Sequence, residues 1–367
     1  AVLSQRVKIL RNIPLAPFTT LQVGGRARYF AEAKSELQVK EAVEYAYDHD
    51  LPLFVLGGGS NVVVSDEGWP GLALKIALSG MHAESAGDST IFFAAAGENW
   101  DEFVAYTVSR TCAGIECLSG IPGTVGGTPV QNVGAYGQEV SRTITHVRVL
   151  DLAAGHFLEL SNGECGFAYR TSIFNSSQHG KYIVLEAAYK LEQNGEVTLE
   201  YGDLKRFFAG TTRPPTLARV REAVRKIRQG KAMLLLPNDE DCRSAGSFFK
   251  NPVVSTSEAT RIQQIASECV PQSAVPCYPG ENGLVKLSAA WLLEQSGFYK
   301  GYSRGSVGIS RKHALAIVNR GTATSKDIIA FKNEIQMRVM DRWGVRLQPE
   351  PVFVGFETEK TAQSSLR

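Results

Sequence analysis

Apolar residues recur along this chain at two spacings, and the switches between them divide it into elements. Arg26 to Phe30 alternates and reads as a strand. Ser35 followed by Gln38 has the form of a capping box. Val39, Ala42, Val43, Ala46 and Tyr47 then fall at i, i+3, i+4, i+7 and i+8, one face of a helix running to about His49. Leu53 to Leu56 and Val62 to Val64 are short apolar runs of the kind buried strands show. From Leu72 to about Leu191 short alternating strands dominate: Ile91 to Ala95, Val147 to Asp151, Phe157 to Leu160 and Tyr182 to Leu191, interrupted by a helix over 99–112. Beyond Pro237 the pattern predicts a helix over 288–296 and a strand over 314–318. A last helix from Ser325 to Trp343 has Ile328, Phe331, Ile335, Val339 and Trp343 on one face. The expectation is an α+β protein in three parts, 1–69, 70–233 and 234–353, with a polar, loose tail after Phe356.

Length agrees with this, since 367 residues exceed what one hydrophobic core usually supports. With 44% hydrophobic and 21% charged residues the composition is that of an ordinary globular protein, and a net charge of +2 points to no polyanion. The local exception is 213–231, where seven Arg and Lys stand against one Glu; this is either a phosphate-attracting patch or, as we read it, a solvated helix face. No run of eighteen apolar residues and no basic-then-apolar leader occurs, so no membrane span and a cytoplasmic location are expected. Cysteines 112, 117, 165, 242, 269 and 277 form no C-x-x-C pair and have no His at metal spacing, so they read as free thiols and no metal site is expected. None of the six histidines stands beside a candidate nucleophile, and each reads as surface or core.

Candidate chemistry sits in two glycine clusters. The stretch 114–140 holds seven glycines in twenty-seven residues and almost no charge, a composition that exposes backbone and suits a large cofactor; the alternative is a glycine-rich surface loop. Upstream, Gly57, Gly58, Gly59, Ser60 and Asn61 form a turn between two apolar runs. Successive N–H groups there make a nest fit for a pyrophosphate; the alternative is a plain tight turn. A strand rather than a helix follows, which excludes a Rossmann fingerprint and a Walker loop.

The segments LGGGSN (56–61), SGIPGTVGGTPVQNVGAYG (119–137), YRTS (169–172), YGDL (201–204), AGSFFKNPVV (245–254), VKLSAAWLLEQSG (285–297) and QPEPVFVG (348–355) together resemble the UDP-N-acetylenolpyruvoylglucosamine reductase family. They occur in the family's order over most of the chain. The resemblance implies an FAD-binding domain of two α+β subdomains, of the vanillyl-alcohol-oxidase kind, within 1–69 and 70–233. The first is completed by 354–367, and a C-terminal α+β substrate-binding domain follows. It also implies reduction of the enolpyruvyl ether of UDP-N-acetylglucosamine enolpyruvate to a lactyl ether, with non-covalent FAD as cofactor and NADPH as co-substrate, by a monomer with no nucleic-acid or membrane partner. The pyrophosphate is then expected on residues 57–61. The flavin half falls to Ser119, Gly120, Ile121, Pro122, Gly123, Gly127, Thr128, Asn132, Gly134, Ala135, Tyr136 and Gly137.

By the same resemblance Ser247 is the acid that protonates the carbanion, and Arg170 and Glu350 are the electrophilic pair at the substrate carboxylate. A guanidinium pairs bidentately with a carboxylate, whereas Glu350 fits there only if protonated or held by donors. Taken as residues alone, Ser247 reads as a turn or cap, and Arg170 and Glu350 as salt-bridge partners. Tyr169, Tyr201, Lys231, Asn251, Lys286 and Gln295 are the expected substrate contacts, with Tyr201, a closing clamp, marking the type I branch. The chain departs from relatives at Thr171 (often Asp), Gly58 (often Glu) and Val352 (where an Arg can stand). Two competing functions are a flavin oxidase, which would usually tether its flavin to a His, and a nucleotide- or nucleic-acid-binding module using the basic helix. No His lies in either glycine stretch, and stacking aromatics near the basic run are confined to Phe207 and Phe208.

Overall fold

Ser35 caps helix α1 (Glu36–Asp48) by accepting the amide of Gln38 at 3.3 Å. The Gln38 side chain reaches the amide of Lys34 rather than that of Ser35, so the expected box is closed one residue earlier. Val39, Ala42 and Ala46 are buried as expected, but Tyr47 is 84% exposed. Eight residues at 3.6 per turn carry it about 80° round from Val39, off the packed stripe. This computed structural model describes residues 6–270 and 274–356, so the expected tail and the 354–367 segment fall largely outside the described residues. The chain divides into two units, described separately below.

Unit 1 comprises the described residues up to Ile13, Ala27–Gly59 and Trp69–Leu235. Its first sheet has four strands in the order Ile9–Pro14, Arg26–Ala33, Trp69–Ile76, Leu53–Leu56, the last three mutually parallel, with α1 as crossover. Its second is antiparallel, in the order Phe157–Ser161, Ile144–Asp151, Tyr182–Gln193, Ser89–Ala95, Met81–Ala86, with Cys112–Ala113 pairing the end of the long central strand. Helix α2 (Trp100–Ser109), capped by Asn99, buries Trp100, Phe103 and Val104. Residues from both sheets, among them Leu72, Leu74, Phe92 and Tyr189, share one core. Most of the two subdomains expected over 1–69 and 70–233 thus lies in this one unit, but 14–26 and 60–68 belong to the other. The short helix α3 (Gly202–Phe207) and the basic helix α4 (Leu217–Gly230) add a smaller cluster of Leu204, Phe208, Val220, Ala223 and Val224 packed on Cys117 and Tyr136.

Unit 2 comprises Pro14–Arg26, Ser60–Gly68 and the described residues from Leu236 onward. Val62–Val64 pairs in parallel with Val352–Val354, not with the strand that precedes it in sequence. Gly57–Asn61 is therefore a passage from one unit to the next rather than a hairpin turn. Helix α5 (Thr256–Cys269) carries a full capping box of Ser255 and Glu258. It was missed in the apolar pattern because Ala259, Ile262 and Ala266, its buried residues, make a narrow stripe. Helix α6 (Ala289–Gln295) and helix α7 (Ser325–Trp343) match their predicted ranges, and all five predicted face residues of α7 are buried. The expected strand over 314–318 is instead Ile317–Asn319. Trp343 sits 5.1 Å from Trp291 and donates its Nε1 to the Leu292 carbonyl at 3.2 Å and to Ser296 Oγ at 3.1 Å.

Candidate active site

In unit 1 the two glycine clusters meet. A Cβ on Gly58 would stand 2.6 Å from the Gly123 Cα, and one on Gly57 would stand 3.1 Å from Thr124 Oγ1. Gly59 and Gly123 adopt φ of 63° and 116°, which side-chain-bearing residues avoid. The result is a surface of close backbone without a carboxylate in the 57–59 turn, as a diphosphate-bearing cofactor requires. Several side chains of the second cluster are bonded inside the unit. Ser119 Oγ donates to the Glu116 carbonyl at 2.6 Å, and Thr128 Oγ1 contacts the Tyr189 hydroxyl at 2.7 Å. The Asn132 amide donates to the Ala168 carbonyl at 3.0 Å. With those side chains engaged, main chain is what these positions have to offer a ligand. The buried Glu116 carboxylate, bound by the Gly114 amide and Gln138 Nε2, fixes where the stretch begins.

Around the 134–139 hairpin the substrate candidates of this unit gather. Arg170 has φ 55°, held by a tight turn in which Ala168 and Thr171 exchange backbone hydrogen bonds, and by Asn175, whose amide donates to its carbonyl at 3.2 Å. Such an outlier is held in place only by its surroundings, as active-site residues often are. Its Nη2 donates to the Gly134 carbonyl at 2.8 Å and its guanidinium lies 5.6 Å from the centre of the Tyr169 ring. Tyr201, 46% exposed, meets Tyr136 edge to face at 5.3 Å and immediately precedes α3. Burial raises the Tyr136 hydroxyl above its ordinary pKa. Lys231 Nζ donates to Asp203 Oδ2 at 2.7 Å. Burial alone would lower the lysine, but the hydrogen bond to Asp203 and the charge interactions with Tyr136, Asp203 and Tyr201 together outweigh it and the pKa is raised.

The basic run is used within the unit. Asp101 accepts from Arg221 at 2.5 Å, from Arg225, and from the Gly120 amide at 2.6 Å, while the buried Arg228 donates to the Gly120 carbonyl at 3.0 Å. Burial pushes the Asp101 carboxyl upward, yet the Arg221 and Gly120 bonds prevail and hold it below its usual value. The expectation of a solvated face holds for the exposed Arg213, Arg219 and Lys226 but is corrected for Arg221, Arg225 and Arg228, which fasten α4 to the glycine stretch.

In unit 2, Ser247 and Glu350, a hundred residues apart in sequence, come onto adjacent segments. Glu350 N donates to the Phe248 carbonyl and Lys250 N to the Gln348 carbonyl, each at 2.9 Å. Asn61 is joined to the same place, its amide donating to the Glu350 carbonyl at 3.3 Å and its own carbonyl accepting from Val352 N. Asn251 Oδ1 accepts from Ala289 N at 3.0 Å and so holds the start of α6, whereas Gln295 closes that helix about 9 Å further along its axis. Lys286 lies mid-strand between Val253 and Tyr278. One partner was not expected from sequence. His313 Nε2 lies 2.9 Å from Ser247 Oγ, sixty-six residues away, which corrects the reading of every histidine as filler. No local signal marks it, because the contact is made only by folding. Among the described residues no group of His, Cys, Asp and Glu could hold a metal ion, all six cysteines are free, and no helix is long and apolar enough to cross a membrane.

The backbone cradle and the parallel-plus-antiparallel unit around it are those of an oxidoreductase's flavin-binding domain. In agreement, the model of the FAD binding domain family matches residues 27–161, and that of the UDP-N-acetylenolpyruvoylglucosamine reductase C-terminal domain matches residues 237–354. UDP-N-acetylenolpyruvoylglucosamine reductases from Thermobifida fusca and Streptomyces avermitilis are each 44% identical, over 94% and 96% of this chain and 98% and 96% of their own lengths. The crystal structure of UDP-N-acetylenolpyruvylglucosamine reductase from Thermus caldophilus superposes with a TM-score of 0.62 at 26% identity, covering 95% of this chain and 99% of that one. The chain belongs to the UDP-N-acetylenolpyruvoylglucosamine reductase family.

Proposed function

We propose that this protein reduces the enolpyruvyl ether of UDP-N-acetylglucosamine enolpyruvate to the lactyl ether of UDP-N-acetylmuramate, with NADPH as reductant, in cell-wall precursor synthesis in the cytoplasm. The observation that carries the reading is the pairing of the Ser247 and Glu350 segments inside a domain of this family. FAD, when bound, supplies hydride chemistry. The cradle of Gly57, Gly58, Gly59 and the 119–137 stretch would hold it through main-chain N–H groups, with Ser60 and Asn61 continuing the turn.

The chain's own residues then have separable tasks. Arg170, its guanidinium anchored on Gly134, binds the substrate carboxylate and stabilises charge that builds on it. Ser247 Oγ–H gives its proton to the carbon beside that carboxylate, and Glu350 supports the same charge as a hydrogen-bond donor when protonated. Tyr201 and Lys231 bind the diphosphate, and Asn251, Lys286 and Gln295 serve the sugar nucleotide. The engagement of the α4 arginines with Asp101 favours this reading over a nucleic-acid-binding one. Anaerobic reduction of the bound flavin by NADPH followed by reoxidation with the enolpyruvyl UDP-sugar tests it. A protein that neither bleaches with NADPH nor recovers its colour with that substrate would refute it.

A further inference from the structure

A serine hydroxyl is a weak acid, so a serine that protonates carbon needs a group that holds its hydrogen in line and compensates the oxygen as it loses the proton. His313 meets that need geometrically, with Nε2 at 2.9 Å from Ser247 Oγ. We propose that His313 is a positioning residue for Ser247, donating through Nε2–H to Oγ and returning a proton to it as Oγ gives its own away. The inference rests on the function proposed above.

The placement of His313 is built rather than incidental. Phe248, next to Ser247, donates its amide to the Leu315 carbonyl at 2.8 Å, which locks the two segments side by side. The turn that presents the imidazole is pinned from below. Ser310 Oγ accepts the amides of Lys312 at 3.0 Å and His313 at 3.3 Å while donating to Asp241 Oδ2 at 3.1 Å. Asp241 is only 2% exposed and also takes the Arg311 amide at 2.8 Å and Arg320 Nη1 at 2.8 Å. A buried, fully engaged carboxylate beneath a turn makes it rigid, and a rigid turn keeps a donor aimed. His313 itself is half-buried, so water can reprotonate it.

The proton balance is closed. The Oγ–H bond of Ser247 breaks as its proton joins the substrate carbon, whose electron pair arrived with the hydride that NADPH contributes. The Nε2–H bond of the doubly protonated imidazole breaks in turn, its proton joining Oγ. Ser247 is thereby restored, His313 is left neutral, and it recovers a proton from water before the next turnover.

Two measurements on the FAD-loaded protein decide the matter. In the ¹⁵N spectrum of labelled histidine, Ser247→Ala should move one Nε2 resonance, the one missing in His313→Gln. Six unmoved resonances would show that the contact does not exist in solution. In single-turnover reoxidation by enolpyruvyl substrate, His313→Ala should be slower by about a hundredfold. His313→Gln, whose amide can still donate, and added imidazole with His313→Ala should each recover part of the loss. In the Ser247→Ala background, His313→Ala should cost less than about twofold more, since both changes remove one device. Multiplying losses, with no recovery by Gln or imidazole, would mean that His313 only props its loop, and a wild-type rate for His313→Ala would also overturn the proposal. Failure of the function itself reads differently, because the unmodified protein would then not be reoxidised by that substrate.

Discussion

Among the roles proposed above, those of Ser247 and Tyr201 separate most cleanly. Donation of a proton to carbon belongs to the substrate half of the cycle, and reduction of the flavin by NADPH makes no demand on it. Ser247→Ala should bleach with NADPH at nearly the normal rate yet be reoxidised by substrate about a thousandfold more slowly, roughly 4 kcal/mol of lost transition-state stabilisation. Stopped-flow absorbance reads both halves, and equal slowing of the two would remove Ser247 as the acid. Tyr201 is half exposed and braced on the edge of Tyr136, so its hydroxyl is available for a ligand. Tyr201→Phe keeps that ring contact and should raise substrate KM far more than it lowers kcat; steady-state kinetics with an unchanged KM would take the hydroxyl out of recognition.

At the scale of elements, the glycine stretch works by backbone shape and by its attachment to α2 and α4. Gly123 has φ 116° and faces Gly58, so Gly123→Ala forces a strained backbone costing about 1–3 kcal/mol. Titration of apoprotein with FAD should show affinity weakened at least about tenfold. Asp101 ties Gly120 to Arg221 and Arg225, and Asp101→Asn should lower unfolding free energy by about 2 kcal/mol at neutral pH, measured by urea titration. Because the folded carboxyl titrates below the unperturbed 3.8, its contribution is present above that value and disappears as pH falls through the folded pKa. The difference between wild type and variant should therefore hold from neutrality to about pH 4 and shrink below it.

For the molecule as a whole, the cofactor should be held by shape and hydrogen bonds alone. Acid precipitation should release all the flavin into the supernatant, and colour retained by the pellet would show a covalent link. Added FAD at a hundred times its Kd should stabilise the folded protein by about 2.7 kcal/mol, read as a rise in Tm. The two units have separate cores, one centred on Phe92, Phe103 and Tyr189 and the other on Phe298, Phe331 and Trp343.

What the sequence determined by itself is what depends on near neighbours. The period of apolar residues set α7 to the residue, the Ser35 cap set the start of α1, and the glycine clusters announced bare backbone, because propensity, capping and φ preference act within a few positions. Their motifs were also specific enough to carry the family. Tertiary structure alone decided that Val62–Val64 leaves its sequence neighbours to pair with Val352–Val354 and that the α4 arginines turn inward to Asp101. It likewise decided that the Glu350 segment pairs with the one that follows Ser247 and that His313 reaches Ser247 Oγ. Those contacts join residues tens to hundreds of positions apart, and nothing in the local pattern of either partner encodes which distant segment the folded chain will bring beside it.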